Sequence, residues 1–459
     1  MELRRTPEQT FYDATVAELL LILGIMLIPY DAFRLMPSEY RPIAIFPLLV
    51  SLIFVFGRRE VALMSKSRVL LLLFAIVATF STFLLTSQTN YGVDRVPSFV
   101  LTLSIGVLLF FAFSILFVLM LRKLGVNGFL DWLFTWLSRA YILPIAIGAI
   151  EALSLLGVFP SSISASLSHF FGSNQEGRLT LTTYEASWAA FHLLIAGFSF
   201  YYRYKSTSNV FHGACFLTSL GLFLFSQSMQ GFIVATVAAI IFVIWLSYKQ
   251  NNLLTLIKWV SLTVLCIFLL VIILKIIYTN QGQDTYYTRR LLGFEGVESL
   301  IKSDGSSFVR IMFPVMGMQM FFDHLLTGIG GGMFASYLPE YIFAYYPWAV
   351  SFGEIAQDLA GELVPSAVCL YSKIFAEQGI IGVSLFGAYF ACVCHGFDSL
   401  GDVGNWKVRI AAFFLITLIC MPFQFASYAF LPLWLALGVL DALCSYQTEL
   451  DGLMGHSSE

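Results

Sequence analysis

The sequence predicts an all-α integral membrane protein of about twelve transmembrane helices, with a long non-cytoplasmic loop that contains an amphipathic helix. Three observations predict it. Charged residues make up only 12% of the 459 residues and apolar types 58%, whereas an ordinary globular domain is roughly 25% charged. Mean hydropathy is +0.82. The apolar residues fall in runs close to the roughly 20 residues that a helix needs to cross the hydrocarbon core with every backbone group bonded internally. Stretches 69–86 and 99–121 are apolar on every face rather than alternating, which excludes a transmembrane barrel.

The expected spans are 14–30, 43–56, 69–86, 99–121, 140–159, 186–202, 210–226, 231–247, 259–278, 367–394, 410–427 and 429–446. The first run ends in Pro29-Tyr30-Asp31 rather than a small-residue cleavage site, so it is expected to remain as a span. With the N-terminus cytoplasmic, fifteen Lys/Arg fall in inside segments and eight outside, Lys275 and Lys373 completing the 25. Four of the eight sit in one long loop, where the positive-inside rule carries little weight, so both termini are expected inside. This divides the chain into an N-terminal bundle (1–278), a large outer loop (279–366), and C-terminal helices with a cytoplasmic tail (367–459).

The long loop is expected to be folded. It contains the stretch from Phe308 to Asp323, read as an amphipathic helix lying in the interface, and an aromatic cluster from Tyr337 to Trp348. Its Met/Phe stripe reads first as packing, while packing against lipid tails would suit a lipid-linked substrate. No internal repeat or matched pair of broken helices marks the chain as an inverted-repeat transporter.

Composition also bounds partners and cofactors. The net charge is −3 and no Lys/Arg run exceeds two residues, so nucleic acid is not an expected partner. The seven cysteines mostly fall inside apolar runs and read as small core residues. No metalloprotease spacing, nucleophile elbow or carboxylate-rich metal loop is present, and neither metal nor other cofactor is expected. Gly328-Ile-Gly330-Gly-Gly332 has no strand before it and no Gly-Lys-Ser/Thr after it, so it reads as a tight backbone turn.

Ionisable groups inside spans are costly and mark a cavity, a partner or a pathway. Glu151, mid-span, is read as a functional group or half of a buried pair. Lys373 and Glu377, four apart, read as an intrahelical pair, His192 as a hydrogen-bonded core histidine, and Asp441 as a carboxylate near the cytoplasmic end within reach of water. Among the outer residues Arg178, before a span, and Arg310, opening the amphipathic helix, offer planar forks for phosphate oxygens. The alternative for each is snorkelling to lipid headgroups.

Four stretches in order resemble the O-antigen polymerase and ligase superfamily (Wzy/WaaL type) of bacterial inner-membrane glycosyltransferases. Arg178 to Ser187 resembles the family's arginine followed by a Glu-Pro-Ser-like element, with Ala186 where proline is common. Ser226-Gln-Ser-Met-Gln-Gly231 resembles its Ser-rich turn. Ser307-Phe-Val-Arg310 running to His324-Leu-Leu-Thr-Gly-Ile-Gly330 is similar to its arginine-led helix and following turn. Leu370-Tyr-Ser-Lys-Ile-Phe-Ala-Glu377-Gln-Gly379-Ile-Ile-Gly382 is close to its Glu-x-Gly-x-x-Gly element. The histidine that ligases carry shortly before the last element is replaced by Val364-Pro-Ser-Ala-Val-Cys369, which favours a polymerase.

The resemblance implies a GT-C-like membrane enzyme that transfers undecaprenyl-pyrophosphate-linked glycan onto a lipid-linked repeat, on the periplasmic face of the bacterial inner membrane and beside a chain-length regulator protein. By the same resemblance Arg178, Arg310, Glu185 and Glu362 are expected to be catalytic. Arg289, Arg290, His324, Tyr184 and Ser187 are expected to bind substrate. Guanidinium groups would stabilise the departing pyrophosphate without a metal, a carboxylate would act as base, and a single displacement would invert the anomeric carbon. The competing readings are a ligase of the same superfamily and a flippase or other transporter.

Overall fold

The computed structural model describes residues 7–31, 42–55, 65–89, 95–171, 178–226, 228–250, 301–302, 304–361 and 365–455. In chain order the helices are α1 (Pro7–Met26), α2 (Ile45–Val55), α3 (Lys66–Thr89), α4 (Val96–Leu155), α5 (Ser161–Phe170), α6 (Ala186–Thr207), α7 (Val210–Ser226) and α8 (Met229–Lys249). They continue as α9 (Gly305–Asp323), α10 (Phe334–Tyr345), α11 (Gly353–Leu359), α12 (Leu370–Cys394), α13 (Trp406–Cys420) and α14 (Leu431–Gly455). No strand occurs among the described residues. Among the described residues five segments are long and apolar enough to cross a membrane: Lys66–Ser87, Val96–Leu155, Met229–Lys249, Leu370–Phe397 and Trp406–Gln424.

Every expected span falls on a helix except 259–278, which lies outside the described residues. Expected spans 99–121 and 140–159 belong to one helical run, α4, interrupted at Gly125 with φ 65° and ψ 173°. The rings of Phe117 and Phe129 are 5.2 Å apart, where a straight helix would separate them by about 18 Å. The chain therefore folds back at Gly125, a backbone conformation open to glycine and costly for other residues.

The outward face of α3 identifies the solvent. Ile76, Phe80 and Phe83 form one stripe at helical spacing and are 63%, 64% and 56% exposed. Such a stripe is unfavourable in water and ordinary against hydrocarbon. Inside the bundle α4 packs on α14, α6 and α2 around Phe110, Phe113, Phe117, Phe134 and Trp434.

One end of the bundle is basic. Lys407 pairs with Asp131 at 2.7 Å, Arg122 with Glu449, and Lys249 with Asp398. Lys249 beside Asp398 holds that exposed carboxyl below its ordinary range. Glu185 precedes α6 and Lys205 ends it; its 22 residues span about 33 Å, close to the roughly 30 Å of hydrocarbon. The loop carrying Arg178 and Glu185 thus lies at the end opposite the basic cluster.

Asp441 corrects an expectation. Instead of meeting water it is 2% exposed and pairs with buried Arg68 at 3.1 Å. Arg68 also donates to Ser114 Oγ at 2.7 Å, and the hydroxyls of Ser67 and Ser114 donate to the carboxylate. A guanidinium in hydrocarbon is tolerable only when its charge and donors are matched, and two adjacent helices supply the match.

Segment 301–361 packs around a second, smaller core that includes Phe308, Phe313, Met316, Met320, Phe334, Leu338 and Ile342 and takes in Ala376 of α12. The expected amphipathic helix exists as α9, but it does not lie across the bundle. Pro314 O accepts from Ser372 Oγ, Phe321 meets Phe375, and Leu325 O accepts from Ile380 N, so α9 runs alongside α12 in the same direction. Its Met/Phe face packs on protein: Met316 and Met320 are fully buried. Asp304 caps α9, accepting from Ser307 N at 2.7 Å. Asp304→Ala is expected to cost about 1 kcal/mol, read as a small drop in the thermal midpoint of the detergent-solubilised protein.

Candidate functional site

The Arg178–Glu185 loop is locked from beneath. Fully buried Glu151, on α4, accepts hydrogen bonds from Thr180 N (3.1 Å), Leu181 N (2.8 Å) and Thr180 Oγ1 (3.0 Å). Mid-span Glu151 thus finds its partners in loop backbone rather than in a second charge. Leu181 is held at φ 52°, which costs a branched residue roughly 1–2 kcal/mol. The carboxylate bonds and the burial of Leu181 over Gly148 offset that strain. Thr182 Oγ1 donates to Pro29 O at 2.6 Å and Thr183 Oγ1 to Thr180 O at 2.8 Å, so the interior of the loop is tied on every side.

At the two ends of this buried loop the candidate side chains Arg178 and Glu185 remain half-exposed. Arg178 begins it, and Glu185 sits at the N-cap of α6 with φ −121°. There Glu185 Oε2 accepts from Ser187 Oγ at 2.7 Å. A carboxylate at a helix N-terminus also meets the positive end of the helix dipole. Tyr184 stands against Trp188 (5.9 Å), which meets Phe425 edge-on at 5.0 Å. Arg178, Tyr184, Glu185 and Ser187 are therefore one structural unit.

Behind it runs a buried polar chain in which Asp31 Oδ2 lies 3.0 Å from His192 Nε2, and His192 Nδ1 lies 2.6 Å from Tyr141 Oη. Both ring nitrogens are engaged, as expected for a hydrogen-bonded core histidine. This leaves the imidazole no free nitrogen for a substrate.

A second group of candidate residues lies on α9 and α12. Arg310 is half-buried in the first turns of α9, and α9 is tied to α12 by Ser372 Oγ donating to Pro314 O. Lys373 reaches Ala426 O at 3.4 Å and lies 5.3 Å above the Tyr428 ring. The expected direct ion pair between Lys373 and Glu377 does not form, although the ammonium still attracts the carboxylate electrostatically, and the backbone N–H groups of Gly332 and Phe334 face Glu377. Lys373 is drawn instead to a carbonyl and an aromatic face, favourable partners for an ammonium. Residues 421–430 touch both α6 and α12, with Phe425 on Trp188 and Phe423 on Tyr371 at 4.9 Å.

His324 is not part of this arrangement. It lies fourteen residues after Arg310 on α9, about 21 Å along the axis, with its ring 5.4 Å from Tyr337. Nearby, Tyr341 donates to Asp323 at 2.7 Å, and burial together with that carboxylate raises its phenol above the ordinary value. Glu362, Arg289 and Arg290 lie outside the described residues. Among the described residues no three His, Cys, Asp or Glu side chains are grouped to hold a metal ion.

Two parts of the site escaped sequence reasoning: Glu151 as the anchor of the Arg178 loop, and Lys373 as a cation aimed at the 421–430 segment. A charge inside an apolar run was the available signal for both, but the partners lie far along the chain. No protein-family model matches the chain, and no curated protein matches it.

Proposed function

We propose that the chain is a membrane glycosyltransferase, a surface-polysaccharide polymerase that moves a pyrophosphate-linked glycan from its polyprenyl carrier onto a newly delivered lipid-linked repeat. The observation that carries the reading is the locked loop that presents a guanidinium, Arg178, and a carboxylate, Glu185, from its two ends. It stands at the end of the bundle opposite the basic cluster, which on the positive-inside rule is the periplasmic end of a bacterial inner-membrane protein with cytoplasmic termini.

In this reading Arg178 and Arg310 stabilise charge developing on the leaving pyrophosphate, and the fixed loop lowers the reorganisation needed as it develops. Glu185 accepts the proton of the attacking hydroxyl, Tyr184 borders the sugar beside it, and Ser187, buried rather than open to substrate, holds the Glu185 carboxylate in place. Direct displacement inverts the anomeric carbon, so a product linkage matching the donor's anomeric form would contradict it. A chain-length regulator is the proposed protein partner. The transporter alternative loses its main support, because the loop backbone satisfies Glu151.

The test is a surface-polysaccharide gel from a strain lacking the chain, complemented with wild type, Arg178→Lys or Arg310→Lys. Lysine keeps the charge but loses the fork. Each variant is expected to leave a single-repeat band and to lose most of the ladder, on the order of tenfold or more for a transition-state contact worth over about 1.4 kcal/mol. A full ladder from both at normal expression rejects the assignment. Lipid-linked polymer accumulating unattached would identify a ligase instead.

A further inference from the structure

Helices α6, α7, α8 and α13 line a groove of about 500 Å³ that has Arg409 at its basic end. Its walls are hydrocarbon: Leu193, Phe198, Phe216, Phe223, Phe242 and Phe413. Arg409 is the single charged residue lining it, with Tyr201 among the other walls. Arg409 lies in the first turn of α13 and donates one hydrogen bond, to Gly404 O at 2.9 Å. It forms no ion pair with a carboxylate among the described residues, whereas its neighbour Lys407 is neutralised by Asp131.

The depth of the groove mouth is marked independently. Half-exposed Trp406 opens α13, and Lys407 lies 5.9 Å over its ring. Amphipathic aromatics beside cations are the signature of the headgroup level. The groove therefore begins where lipid phosphates lie and runs along the bundle among apolar side chains.

We infer that this groove is a binding site for an anionic phospholipid, one acyl chain lying along α6 and α13 and the phosphate engaged by Arg409. A guanidinium offers a phosphate two parallel charge-assisted hydrogen bonds, which a zwitterionic headgroup partly spends on its own ammonium. The volume falls within the ordinary range of small-ligand sites. The site is independent of the proposed chemistry at the opposite end of α6.

Two substitutions separate headgroup from chain. Arg409→Ala removes the phosphate contact. Gly197→Leu places a side chain in the groove from a position where an added Cβ meets nothing within 4 Å, and it replaces a poor helix former by a good one. The purified full chain is exchanged into detergent, offered phosphatidylglycerol or phosphatidylcholine, and examined by native mass spectrometry. Wild type is expected to retain phosphatidylglycerol at least tenfold more readily than phosphatidylcholine. Arg409→Ala should abolish that preference, and Gly197→Leu should lose both lipids. Equal retention of the two lipids by wild type overturns the inference, as does phosphatidylglycerol retention undiminished in both variants.

Discussion

Replacing Glu151 by alanine is expected to lower the thermal midpoint of the purified protein and, on the proposed function, to abolish polymer formation, whereas Glu151→Gln keeps most of both. The carboxylate accepts two backbone N–H groups and one hydroxyl, all buried. With alanine, Thr180 N and Leu181 N lose their partner in a place water reaches poorly, at about 1–3 kcal/mol for each orphaned group. Leu181 then has less to hold its left-handed backbone, and Arg178, three residues earlier, loses its fixed position. A misplacement of about 1 Å in a positioning element can cost on the order of 100-fold in rate.

Glutamine discriminates between roles. Its carbonyl oxygen can replace Oε2 as acceptor for both N–H groups, and its amide can donate to Thr180 Oγ1, whose rotor adapts. If Glu151 acts by carrying charge or a proton, as a transport pathway would require, glutamine is as damaging as alanine. The measurements are ladder intensity against expression level and thermal unfolding followed by size-exclusion chromatography. Loss of the ladder in Glu151→Gln with an unchanged midpoint would reject the positioning role.

How much of this was legible varies with the range of the interaction. The helices were legible because hydropathy is a local property, as the match of α3, α7, α8 and α12 to their expected runs shows. His192 was readable in kind, since a buried imidazole needs partners, but Asp31 and Tyr141 were not, being supplied by other helices. Spacing put Lys373 and Glu377 on one face; it could not show that Ala426 and Tyr428 compete for the ammonium. Asp441 was misread because Arg68, assigned to a cytoplasmic segment, folds inward to meet it. In the candidate site the sequence marked the Arg178–Ser187 unit and Arg310, while Glu151 and residues 421–430 join it only through tertiary contacts.

The same contrast governs the last expected result, a large loss of stability in Gly379→Ala with none in Gly387→Ala on the same helix. The Gly328–Gly332 stretch forms a tight turn, with φ positive at 328, 330 and 332, and what it serves is an interlock. Helix α12 breaks at Gly379, φ 56° and ψ −165°, a region essentially reserved for glycine. The opened turn bonds to the loop: Ile329 N to Ala376 O at 2.9 Å, Gly330 N to Glu377 O at 3.0 Å, and Ile380 N to Leu325 O at 2.8 Å. A Cβ on residue 379 would lie 2.4 Å from Gly328 N and 2.6 Å from Leu326 O, both backbone atoms that cannot rotate away. Alanine there adds about 1–3 kcal/mol of backbone strain. It also forces apart three hydrogen bonds in a poorly hydrated setting, where each lost partner costs more than in water. Gly387 has nothing within 4 Å of its Cβ position, so alanine there is neutral or stabilising by about 0.5–1 kcal/mol. The thermal midpoints of the two variants, measured side by side, decide it. An unchanged midpoint for Gly379→Ala would mean that loop and helix are not held together by this junction. A midpoint lowered only in that variant would make this junction a main tie between the segment bearing Arg310 and the bundle, beside the Ser372–Pro314 and Phe321–Phe375 contacts.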